Sequence, residues 1–457
     1  MEAKQIQHLY WRAGFGIAPN QLKKLQGKSR KAIVGNLFDT ARSIEPLTLV
    51  KDSVSDVDFM ALRGNKKALR EFGKKLREQR IHLNKAWIDK MVSSDNILRE
   101  KMTLFWATHF VCREPNGYYA EQYNNTLRKH ALGNFRTFVK AISKEVAMIK
   151  YLNLDRNKKA EPNENFAREL MELFTLGKGH YSENDIKESA KAFTGYGYRL
   201  NGEFHLYRTQ HDYSVKRFFN RRGRFDGDDI IDIILLEKQC ARFVCEKIYR
   251  YFVNENISKD HVDKMISVFY PKYDIGDLMY YVFTSDWFYD EAHIGTKIKS
   301  PTEFIVGLSK VVNLKFTQPK QLVTIQKFLG QILMDPPNVA GWPGGRNWID
   351  SNTILVRLRA PSVLLNSNYI SIKEKGEFGD RLSQFIKRKG RRNYIKTTQD
   401  WNLFDIQYKA VSIEEMPNYI LQTQPYGSTE TLLNNLSKES KKEYCVQLMS
   451  LPEYQMC

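Results

Sequence analysis

Apolar side chains recur about every three to four residues along most of this chain, and Gly14, Gly177 and Gly195 stop three of the runs. That period builds helices with one buried stripe and does not suit an alternating strand. Residues 2–13 read as a short helix ended by Gly14, with His8 and Arg12 four apart on one face. A long charged helix follows at 59–92, with Gly64 and Gly73 as candidate breaks. Residues 96–112 place Leu98, Met102, Phe105 and His109 in one narrow arc. The helix at 163–176 stops at Gly177, and the next opens on Ser182 and Asp185, a capping-box pair.

The pattern changes at 196–227. Residues 196–207 alternate around Asn201-Gly202, which predicts a β-hairpin with a two-residue turn. A second excursion, 216–226, surrounds a turn ending at Gly223. Helices resume at Asp228 and continue, with breaks, to about 366. The expectation is a mostly α protein: a compact multi-helix body over 1–368 with a small β insertion at 196–227. A basic, loop-rich C-terminal lobe over 369–457 follows and ends in a helix.

Charge and cysteine narrow the function classes. Lys and Arg outnumber Asp and Glu by 19, with clusters at 23–31, 63–80, 216–224 and 387–392. Such a field attracts polyanions of any kind, or simply keeps a surface solvated. Five cysteines without a C-x-x-C pair weigh against a zinc knuckle or a disulfide framework, and Cys240 and Cys245 read as small buried hydrophobes. No apolar run approaches the roughly 18 residues of a membrane helix, and the N-terminus has no apolar leader core. The chain as it stands reads as cytoplasmic, with export alongside a partner left open.

Several residues are placed to do chemistry. On the 163–176 helix, Asn165, Arg168, Glu169 and Glu172 share one polar stripe that holds no lysine, in a chain rich in lysine elsewhere. The expectation is that this stripe faces inward, against His109 and the segment carrying His211 and Asp212. There Glu169, Glu172, Arg168 and His109 would be catalytic, with Asn165 binding substrate beside them. His211 and Asp212 would hold a divalent metal, which histidine with carboxylates suits. A surface stripe, and a carbonyl as the partner of a buried His109 ring, are the plainer alternatives. The loop 341–348 carries Trp342 and Trp348 with Arg346, a set able to stack on a sugar or a base, or to plug its own core. His8, Arg12, Trp342 and Trp348 are accordingly candidate substrate-binding residues. No phosphate-binding loop, dinucleotide fingerprint, nucleophile elbow or H-E-x-x-H is present.

Three stretches together resemble a bacterial family, domain of unknown function 1800. They are His8-Leu9-Tyr10-Trp11-Arg12-Ala13-Gly14-Phe15-Gly16, the run from Pro162-Asn163-Glu164-Asn165-Phe166-Ala167-Arg168-Glu169-Leu170 to Gly177, and Pro336-Pro337-Asn338-Val339-Ala340-Gly341-Trp342-Pro343-Gly344-Gly345 with Trp348. The resemblance implies a helical fold and no assigned reaction. It also implies a partner, since genes of the family commonly sit beside genes for a protein resembling sulfatases and alkaline phosphatases. The leading expectation is thus an accessory protein acting with such a partner and containing a buried polar site. The alternatives are a metal-assisted hydrolase in its own right and an electrostatic binder of polyanions or nucleic acid.

Overall fold

The computed structural model describes residues 1–50, 65–199, 201–365, 395–425, 427–436 and 438–457. Helix dominates, and strand is limited among these residues to three antiparallel pairs. Tyr196–Tyr198 pairs with Phe204–Leu206, and Lys216–Phe218 with Arg221–Gly223, both inside the expected insertion. The first hairpin departs in detail. Its last pair is Tyr198 with Phe204, so the connection is longer than two residues, and Gly202 N–H closes it onto the Arg199 carbonyl. The third pair, Lys315–Phe316 with Thr397–Thr398, joins positions far apart in the chain and had no local signal.

Local signals place most helix ends. Ser182, Asp226 and Ser300 each cap a helix through a complete capping box. The long charged helix begins at Lys66 and runs unbroken through Gly73 to Ser93. Its first half, which holds much of the 63–80 basic cluster, buries no side chain. Burial starts at Leu83. The run 387–392 lies outside the described residues.

Two apolar clusters form the core. One gathers Leu98, Phe105, Phe138, Phe174, Ile248 and Phe283 from the first two thirds of the chain. The other packs Trp87 and Phe304 with Val356, Phe404, Tyr444 and Leu448. Each such side chain contributes about 1.5–3 kcal/mol by leaving water. The Ile97–His109 helix serves both clusters and is buried almost all round. Its polar residues are therefore inside and must be paired. Glu100 accepts from Arg128 Nε at 2.7 Å, from Arg128 Nη2 at 3.1 Å and from Trp87 Nε1 at 3.0 Å. No helix among the described residues is long and apolar enough to cross a membrane.

Candidate functional site

The expected inward stripe is not what the fold builds. Asn165, Arg168, Glu169 and Glu172 are all half-exposed. Arg168 forms a two-pronged pair with Glu183, 3.0 Å to each oxygen, and Glu172 accepts from Tyr181 Oη at 2.7 Å. Asn165 Nδ2 donates to the Leu152 carbonyl. His109 is buried, with Nε2 3.0 Å from the Phe174 carbonyl, and His211 Nδ1 lies 2.8 Å from the Thr194 carbonyl. Asp212 caps Ser214 N–H. No hydrogen bond or ion pair joins Glu169, Glu172, His109, His211 and Asp212 to one another. Among the described residues no group of three or more His, Cys, Asp or Glu is placed to hold a metal ion.

The physical reason is a change of helix type. Asn165–Glu169 is α-helical, but Leu170–Thr175 is a π-helix, so the stripe computed at a constant α-helical angle does not persist. Thr175 Oγ1 donates to the Leu170 carbonyl, and Leu176 and Gly177 N–H both reach back to Met171. The widened turn leaves carbonyls for other elements to satisfy. Lys247 Nζ takes that of Leu173 at 2.9 Å, His109 that of Phe174, and Gln239 that of Leu176 at 3.0 Å. Burial and the adjacent Glu172 raise the Glu169 carboxyl, so its charge is not stabilised by the fold. Glu169→Ala is accordingly expected to change stability by no more than about 0.5 kcal/mol in urea denaturation. An inward, paired carboxylate would instead cost about 3–5 kcal/mol.

Lys247 and His109 lead to a cleft of about 580 Å³. One wall comes from the Ile97–His109 and Lys238–Phe252 helices, the other from residues 340–348, and the extended segment 297–300 lies between. Gly341 sets the second wall against the first: at φ +80°, a Cβ there would stand 2.8 Å from Val111 Cγ2. Both tryptophans singled out in this loop line the cleft, Trp342 half-buried and Trp348 8% exposed. His8 and Arg12 do not line it. They are buried behind it, with His8 Nε2 at the Phe288 carbonyl and Arg12 Nη2 donating to that of His293.

The cleft is cationic. Lys247, Arg250, Lys297 and Arg346 line it against two carboxylates, Glu255 and Glu303. Glu303 is already taken. It is 1% exposed, hydrogen-bonded by Lys101, 3.8 Å from Lys297 Nζ, and bonded by Ser300 N–H at 2.7 Å. Burial alone would raise its carboxyl, but Lys101 and Lys297 outweigh that and hold it well below the usual range. Behind the wall, Lys299 donates to the Tyr454 carbonyl and lies between the Trp11 and Tyr454 rings, 3.8 and 3.7 Å from their centres. Arg357 is fully buried beside it, with Nε and Nη2 unpartnered among the described residues. Burial pushes Lys247 and Lys297 down to about 8 and Lys299 down to about 7. Burial and Lys247 also keep the His109 ring well below the ordinary imidazole value, so it stays neutral. One internal carboxylate thus serves an excess of confined cations, a field that an incoming anion would satisfy.

Lysines 247, 297 and 299 drew no attention in the sequence because a strongly basic chain offers many. A signal did exist: Lys297-Ile298-Lys299 alternates into a capping box, Ser300 to Glu303, which places two lysines on one side of an extended segment against a helix start. The model of the family described as "Protein of unknown function (DUF1800)" matches residues 8–456. No curated protein and no solved structure matches the chain.

Proposed function

Because the chain belongs to the family of proteins of unknown function DUF1800, which carries no assigned reaction, we propose its function from the cleft: it binds a small organic oxyanion. The observation that carries this is the cleft's lining of four cations against two carboxylates, Glu255 and the internally paired Glu303. A volume of about 580 Å³ falls within the range of small-molecule sites. The reading also gives content to an accessory role beside a sulfatase-like or phosphatase-like partner, since such a partner acts on esters of the same oxyanions. A polyanionic chain is a less suitable occupant, because the charge is gathered in a concavity and not along a track.

Isothermal calorimetry with inorganic phosphate and sulfate tests the reading. Binding to the wild-type chain is expected, with Lys297→Met weakening it by about 10–100-fold, the worth of a charge-assisted contact. Lys297 shares its surroundings with Lys101, so this variant should fold as well as the parent. Absence of any oxyanion binding by the wild type would overturn the proposal.

The same lysines set a pH dependence. Lys247 and Lys297 lie at about 8, and a bound anion favours their charged forms. Binding near or above pH 8 must therefore take up protons. Affinity is expected to fall as pH rises from about 7 to about 9.5, and the apparent heat to vary with the ionisation enthalpy of the buffer.

A further inference from the structure

Resting on that oxyanion reading, we infer that the ligand is a sugar carrying a phosphate or sulfate ester, with the ester at the lysines and the sugar ring against the Trp342 loop. The two walls of the cleft differ in kind. Lys247 and Lys297 offer positive charge from half-buried stems. The opposite wall carries the Trp342 and Trp348 indoles with mixed donors and acceptors, which an inorganic ion has no use for.

Glu255 is the discriminating residue. It makes no ion pair among the described residues although Arg250 and Arg346 line the same cleft. Its carboxylate is packed against Gly345, where φ is +54° and any Cβ would overlap it. A free carboxylate repels a bare oxyanion but accepts hydrogen bonds from hydroxyl groups. Donors stand nearby: the indole N–H groups of Trp342 and Trp348 have no hydrogen-bond partner among the described residues, and Arg346 has no carboxylate partner there. Donors and an acceptor beside aromatic side chains are what a ring bearing several hydroxyls requires.

A sugar ring packs one C–H face on an aromatic side chain and turns its hydroxyls to the edge, where the Glu255 carboxylate and the indole N–H groups would meet them. A flat base presents fewer such hydroxyls, so a sugar ester suits these groups better than a nucleotide.

Calorimetry on the full chain separates the cases, with inorganic phosphate, inorganic sulfate, glucose 6-phosphate, glucose 6-sulfate, glucose and adenosine monophosphate as probes. A sugar ester is expected to bind at least about tenfold more tightly than its inorganic ion, with phosphate and sulfate arms showing which ester is preferred. Trp342→Ala should erase most of that advantage by weakening the ester far more than the inorganic ion, and Trp342→Tyr should restore part of it. Melting curves confirm that both variants are folded. The inference is overturned if inorganic ions bind but sugar esters bind no better. It is overturned equally if the nucleotide binds more tightly than both sugar esters, or if Trp342→Ala weakens inorganic ion and ester alike. In those outcomes the oxyanion reading stands. If no probe binds the wild type, that reading itself falls and takes the inference with it.

Discussion

Replacing Glu303 by alanine is expected to destabilise the protein by about 3–5 kcal/mol, the cost of stranding buried charge. Glu303 is the carboxylate that Lys101 and Lys297 share, and the side chains of Glu303 and Lys101 are each 1% exposed. Without it, Lys101 keeps its hydrogen bond to the Trp11 carbonyl, 3.1 Å away, and the cationic cluster loses the carboxylate that Lys101 and Lys297 share. Glu303 also caps its own helix, so a control is needed. Ser300→Ala removes the Ser300 hydroxyl that caps Glu303 N–H, and should cost about 1 kcal/mol. Glu303→Gln keeps shape and capping oxygen and should still lose most of the larger amount. Urea denaturation of the three variants decides between them. Near-equal losses for Ser300→Ala and Glu303→Gln would mean that capping, not charge, is Glu303's main role. The sign with pH follows from its lowered carboxyl. The contribution is complete above the ordinary carboxylate value and is lost as pH falls through the folded one.

Ligand-free protein is expected to become more stable as pH rises from about 7 to about 9. Lys299 lies at about 7 and Lys247 and Lys297 at about 8 in the fold, whereas all three return to the ordinary lysine value near 10.5 on unfolding. Across that window the unfolded chain therefore binds more protons than the folded one, and the unfolding free energy climbs with pH. For Lys299 alone, the difference between 10.5 and about 7 corresponds to on the order of several kcal/mol. Buried thiols, and then tyrosines, set the upper limit. Burial raises Cys112, Cys240, Cys245 and Cys445, and likewise Tyr251 and Tyr454, so the unfolded chain ionises them first and stability falls again once pH passes the ordinary thiol value of about 9. Calorimetric melting at a series of pH values should show a rise of several degrees, flattened by Lys299→Met and by a saturating oxyanion. A profile flat or falling from neutral pH upward would show that these lysines stay charged in the cleft.

The inward stripe shows where sequence reasoning stopped. A constant α-helical angle puts Arg168, Glu169 and Glu172 on one face, and only the absence of lysine turns that face toward the core. Arg168 instead meets Glu183 on the next helix, an ion pair at a half-exposed surface that needs no lysine of its own. The π turn that follows arises where a buried threonine hydroxyl and three side chains from other helices take up its backbone carbonyls. None of those three is near in sequence.

Helical class, the positions of most helix ends and the β insertion follow from the sequence, because period, capping and turn chemistry act between residues a few positions apart. So does the tryptophan loop as a candidate binding element, since its glycines and indoles are adjacent. The cleft was decided by tertiary structure alone. Lys101 and Glu303 are 202 positions apart, and Lys299 and Tyr454 are 155 apart. Whether a lysine is a solvated surface charge or a confined cation depends on what is folded over it. In this chain that cover is assembled from residues near the start, the middle and the end of the sequence.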